Sequence, residues 1–101
     1  MTQAMSPAAR RFGERVRRAR VDLGLSQESV AELAQMHVTN YGKIERGIAN
    51  PSLVTILRIA TVIGADVGEL TSGLTREDLP PEFTVLTADE YLREHERRRR
   101  R

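Results

Sequence analysis

A chain of 101 residues, 40% of them apolar, can bury one small core and carry at most a short extension beside it. It has no cysteine, which excludes a disulfide framework and a thiolate metal site, and no apolar run near the length of a membrane span. The net charge of +2 conceals a segregation: residues 1–64 hold nine Lys/Arg against five Asp/Glu, residues 65–96 hold two against nine, and the last five residues are all Arg.

Residues 1–6 read as a disordered leader. Ser6-Pro7 then opens a helix, with Ser as N-cap and Pro at the first helical position. Phe12, Val16, Ala19 and Leu23 recur every three or four residues, which predicts one buried stripe, and Gly24 ends the helix. Ser26 caps a second helix with Val30, Leu33 and Ala34 inside and Ala31 small enough for a close crossing. "QMH" breaks the pattern before a third helix, 38 to about 46, that Gly47 closes. Ser52 caps a fourth, with Leu53, Ile56, Leu57, Ala60 and Ile63 expected inside and Gly64 at its end. Asp66 and Glu69 have capping-box spacing for a short fifth helix through Leu70. Beyond Gly73 the chain is acidic and broken by Pro80-Pro81. "FTVL", 83–86, is a short strand candidate, and Thr87 with Glu90 caps a helix from 88 onward. The expected division is a domain over 7–72 and an extension over 73–101.

The third helix is unusual. Only Tyr41 and Ile44 share a face suited to a core; Val38, Thr39 and Lys43 lie on another, with Asn40 beside them. Gly42 sits in its middle, where it costs roughly 1 kcal/mol against Ala. Either it permits close approach to a ligand, or it relieves crowding against a neighbouring helix.

Two helices joined by a tight turn, the second polar outside, form a helix-turn-helix. "LGLSQESVAELA" followed by "IERGIANPSLVTILRIATVIGADVGEL" resembles the Cro/C1-type (XRE-like) family of phage repressors and bacterial regulators, over about residues 10–72. The resemblance implies an all-α, five-helix lambda-repressor-like domain with a C-terminal extension. It implies a sequence-specific regulator bound to double-stranded DNA as a homodimer, with helix 38–46 in the major groove. Val38, Thr39 and Lys43 match the base-reading positions. Gln27 matches a phosphate-binding Gln. His37, Asn40, Arg46 and Asn50 are backbone candidates, although His37 fits the helix cap equally well and Asn50 fits a cap of the loop before Pro51. Arg20 and Glu45 match a structural ion pair. The chain departs from the family pattern twice. Gln35 stands where the turn usually has Gly and must either take a positive φ with strain or use a different turn, and Tyr41 replaces an aliphatic residue and brings a hydroxyl that needs a partner or water.

The extension is expected to hold the dimer through Phe83, Val85, Leu86, Tyr91 and Leu92. The arginines at 10, 11, 15, 17 and 18 crowd the first helix, part of which is expected beside phosphates. The terminal Arg97–Arg101 run fits DNA, an acidic partner, the acidic segment of a second chain, or a solvated tail. No nucleophile–base pair, paired carboxylates, ligand cluster or phosphate-cradling loop can be assembled, so an enzyme, a cofactor and a metal are not expected. His37 and His95 lack ligand spacing. The other functional class is an interaction module, an antitoxin or adaptor with the acidic 65–96 segment as docking surface. The first residues lack the apolar core of a signal peptide, and a cytoplasmic, nucleoid-associated protein is expected.

Overall fold

The computed structural model describes residues 4–100, and residues 1–3 and Arg101 lie outside it. Within that range it is all-helical: α1 Pro7–Asp22, α2 Gln27–Leu33, α3 Val38–Glu45, α4 Leu53–Ile63, α5 Val67–Leu70 and α6 Ala88–Arg99, with one 3₁₀ turn over Arg76–Asp78. Short polar residues start the helices as expected. Ser6 Oγ accepts from Ala9 N at 3.0 Å, Ser26 Oγ from Ser29 N at 3.0 Å, and Ser52 Oγ from Thr55 N at 3.2 Å. At α6 the capping box closes in both directions, Glu90 N to Thr87 Oγ1 at 3.0 Å and Thr87 N to Glu90 Oε1 at 2.9 Å. The box expected at α5 is only half made, since Asp66 accepts from Gly68 N at 3.3 Å and Glu69 makes no return bond.

One core gathers Phe12 and Val16 from α1, Val30, Ala31 and Ala34 from α2, Tyr41 and Ile44 from α3, Ile59, Ala60 and Ile63 from α4, and Leu70. Four leucines expected inside are exposed instead. Leu23 follows the end of α1 and is carried off its stripe. Leu33 sits at the margin of the α2 stripe, to one side of Val30 and Ala34, and stays in water. Leu53 and Leu57, with Val54, lie along the exposed flank of α4, beside the stripe of Ile59, Ala60 and Ile63. Periodicity gives the direction of a buried stripe and not its width, and these leucines lie at the margin, in water.

Two close approaches fix α1 against α3. Gly13 is buried, and a Cβ there would lie 2.3 Å from the Ile44 carbonyl oxygen and 2.6 Å from that of Glu45. Gly47, at φ 75°, passes equally near the α1 backbone, where its Cβ would meet Arg10 Cα at 2.6 Å. The segment before α1 joins this contact, with Met5 N donating to Gly47 O at 2.6 Å. So the part of the expected leader that is described, residues 4–6, is tied to the domain through Met5 and the Ser6 cap.

After α5 the chain stays on α1 through the 3₁₀ turn, where the buried Asp78 accepts from Thr75 N at 2.9 Å and pairs with Arg11 at 3.5 Å. It then departs. Residues 83–87 have no regular structure, and no strand occurs among the described residues, so "FTVL" is not a strand within this chain. It has no second strand beside it to complete a ladder. Among the described residues no other helix packs along α6, and its residues are exposed or half-buried. The radius of gyration of 17.5 Å reflects this projection, since a compact chain of this length would measure roughly 13 Å.

Candidate nucleic-acid interface

The turn from α2 to α3 sets the angle of the third helix. Gln35 takes φ 58°, the left-handed conformation, so the turn is kept without a glycine. Met36 N donates to Ala31 O at 2.9 Å and closes the turn, and Arg58 of α4 donates to the Gln35 carbonyl at 3.3 Å. That arginine contact is invisible in sequence, because its partner is a backbone oxygen 23 positions away.

The helix so placed is two-faced. Tyr41, Gly42, Ile44 and Glu45 are buried; Val38, Thr39, Asn40, Lys43 and Arg46 are exposed, as is His37 before them. His37 occupies the N-cap position but makes no side-chain cap bond, so its ring is free for another role. Asn40, Lys43 and Asn50 come together around a shallow hollow of about 300 Å³ that Ser52, Thr55 and Arg58 complete. On the other side, Gln27 and Arg46 converge over Gly42. A methyl group there would lie 3.2 Å from Arg46 Nη1 and 3.6 Å from Gln27 Oε1. The glycine is thus buried under two polar side chains, and the open space it leaves is theirs.

The scaffold beneath this face is a polar knot. Arg20 Nε donates to Glu45 Oε2 at 2.6 Å and Arg20 Nη2 to Oε1 at 3.1 Å, while Arg20 Nη1 donates to Leu25 O at 2.8 Å. Gln27 Nε2 adds a third bond to Glu45 at 2.9 Å. One carboxylate therefore ties the end of α1, the start of α2 and the end of α3. Burial works against the charge of Glu45, but the hydrogen bonds outweigh it and hold its carboxyl below its ordinary value. The same bonds raise Arg20. Tyr41 fills the core, yet among the described residues its hydroxyl has no partner in regular geometry. Burial first, and its interaction with the neighbouring Glu45 carboxylate next, push the phenol well above its ordinary range.

The structure thus gives Gln27 a structural bond in addition to its expected phosphate role. Among the described residues its second amide hydrogen has no protein partner. The sequence reading missed Gly13. The available signal was a glycine one residue after Phe12, inside an otherwise uninterrupted helical pattern. Among the described residues there is no cluster of metal-ligating side chains, and no helix is long and apolar enough to cross a membrane.

Comparison with known proteins agrees with this geometry. Residues 11–73 match the family described as a helix-turn-helix domain. The chain is 34% identical over 62 residues, 61% of its length, to the SPbeta prophage-derived HTH-type transcriptional regulator YonR of Bacillus subtilis. It is 38% identical over 71 residues to the control protein C.SmaI of Serratia marcescens, covering 70% of this chain and 81% of that one. The match spans 57% of YonR and 66% of DdrOP3 of Deinococcus deserti, so those relatives are longer than the shared region. Among solved structures, the restriction-modification controller protein C.AhdI of Aeromonas hydrophila superposes with a TM-score of 0.60 at 42% identity, over 61% of this chain and 94% of that one. The hypothetical transcription factor NHTF from Neisseria shares the fold at 23% identity over 93% of this chain, with a TM-score of 0.61. The chain belongs to the helix-turn-helix family of DNA-binding transcriptional regulators.

Proposed function

We propose that this protein is a sequence-specific regulator that binds as a homodimer and inserts α3 in the major groove. One observation carries the reading. The helix that gives the core only Tyr41, Ile44 and the tied Glu45 presents Val38, Thr39, Asn40, Lys43 and Arg46 outward. Glu45 is the one acid of residues 36–50, and it points inward to Arg20. Val38 packs on a thymine methyl, Thr39 reads a base edge, and Lys43 reaches guanine O6/N7. Gln27, His37, Asn40, Arg46 and Asn50 hold the phosphate backbone on either side. The protein acts in the cytoplasm, on the nucleoid.

Dimerisation follows from scale, because one recognition helix reads too few base pairs for useful specificity. Two exposed apolar faces are available. The extension offers Phe83, Val85, Leu86, Tyr91 and Leu92, each at least half exposed, and the outer face of α4 offers Leu53, Val54 and Leu57. We assign the contact to the extension, whose apolar residues have no core of their own to join. A protein partner bound to the acidic 65–96 segment is the second reading, supported by the same exposed residues.

Gel retardation at two salt concentrations tests the DNA reading. Lys43→Ala and Thr39→Ala should each weaken specific binding by roughly 1–3 kcal/mol without lowering the melting temperature. If Lys43→Ala kept both affinity and site preference, α3 would not be the reading helix.

A further inference from the structure

The extension carries a direction as well as an apolar face. Ala88, Tyr91, Leu92 and His95 fall at helical spacings of three and four, so they share one side of α6, where the Tyr91 and His95 rings stack at 6.0 Å. That stripe stops halfway, because positions 97–100 are all Arg. Its first half is acidic, with Glu82 just before it and Asp89 and Glu90 in its first turn. The helix therefore has an acidic, apolar start and a basic end.

Resting on the homodimer reading above, we infer that two copies of this chain pair through α6 in antiparallel orientation, crossing near Tyr91 and Leu92. A parallel pair would set both arginine runs side by side and Asp89 and Glu90 against their own copies. An antiparallel pair crossing at Tyr91 and Leu92 lays Arg97–Arg100 of each copy along residues 82–87 of the other. There the guanidinium groups meet Glu82 and stack on Phe83, while their methylene stems cover Val85 and Leu86. Helix dipoles also oppose in this arrangement. The internal pairs of α6, Asp89 with Arg93 at 2.7 Å, Glu94 with Arg97 and, at 3.5 Å, with Arg98, and Glu96 with Arg100 at 3.4 Å, are exposed. Such pairs exchange readily with water and with a second chain. Charge then fixes orientation, and the apolar stripe supplies the attraction.

The absence of cysteine makes the orientation directly readable in the full-length protein. Single variants Ala88→Cys, Leu92→Cys and His95→Cys are oxidised mildly, alone and in mixtures, after sedimentation establishes the oligomeric state. The expected result is a dimer in which Leu92→Cys links to itself, and Ala88→Cys links to His95→Cys but not to its own copy. A disulfide requires Cα atoms within roughly 7 Å, so the pattern reports register. Self-linkage of both Ala88→Cys and His95→Cys would mean a parallel pair and overturn the inference. A dimer that sediments as such but links at none of these positions would also overturn it, leaving the homodimer reading intact with the α4 face as its contact. A monomer at micromolar concentration would remove both.

Discussion

Two Arg–Glu forks in this molecule have nearly the same geometry and opposite surroundings. Arg20 grips Glu45 at 2.6 and 3.1 Å; Arg76 grips Glu90 at 2.5 and 3.0 Å. The Glu45 side chain is 2% exposed and that of Glu90 is 40% exposed. In the first pair the Glu45 carboxylate has left water and Arg20 keeps only 13% of its side chain exposed, and three elements meet on one carboxylate. In the second, water competes for both partners and the fork joins the 3₁₀ turn to the start of α6. Identical bonds thus do different work: one fixes the body that presents α3, and the other tethers an extension that has not found its surface. Burial, not hydrogen-bond geometry, separates them.

The sharpest way to break this contrast is Arg20→Ala. It strands a buried carboxylate, and losing one partner of such a pair costs roughly 3–5 kcal/mol. The melting temperature should fall steeply. A melting curve that overlays the parent would refute the buried pair. The pH dependence has a definite sign. Because the folded carboxyl of Glu45 lies below its ordinary value, its contribution is present above the ordinary carboxylate range and is lost as pH falls through the lowered value. Arg20→Ala should therefore also weaken the acid dependence of stability.

Next in size is Gly13→Ala. On an open helix this exchange gains about 1 kcal/mol. Here the added methyl would meet the backbone oxygens of Ile44 and Glu45 at 2.3 and 2.6 Å, and neither can move without shifting α3. Overpacking of this kind costs roughly 1–3 kcal/mol. Thermal unfolding should show a loss, and binding should weaken as α3 is displaced. A stabilised Gly13→Ala protein would mean that α1 and α3 are not in backbone contact.

The same contrast explains what could be read from sequence. Helix starts were legible because Ser6, Ser26, Ser52 and Thr87 act on amides three residues away, within the reach of a local pattern. The departure at Gln35 was legible only through resemblance, and which of its two alternatives holds, the left-handed φ of 58° or a different turn, was not. The Arg20–Glu45 pair was legible only through resemblance, because 25 residues separate its partners. The errors have physical causes. Leu33, Leu53 and Leu57 were assigned to the core by hydrophobicity, but periodicity fixes a direction and not the width of the buried band. "FTVL" has strand composition, yet a strand needs a neighbour that this chain does not supply. Gln27's bond to Glu45 and Gly13's role depend on which helices meet, information carried by the packing alone.

The smallest expected effect comes from Arg76→Ala, and its smallness is informative. Arg76 binds Glu90, which its hydrogen bonds and those from Thr87 hold down to about 2, and it also donates to Val85 O at 3.2 Å. Both groups sit at the surface, so removing the fork should leave the melting temperature of the domain unchanged. What should change is the start of α6. Hydrogen exchange at residues 83–91 should quicken, because the tether that fixes this segment to the 3₁₀ turn is gone while the Thr87–Glu90 cap remains. Acid should imitate the substitution. With the folded value of Glu90 below its ordinary one, the fork persists through the usual carboxylate range and loosens only as pH approaches about 2. If Arg76→Ala instead lowered the melting temperature as far as Arg20→Ala does, the extension would be part of the folded body. α6 would then not be free to take a second copy, and the division between a rigid reader and a tethered dimer arm would fail.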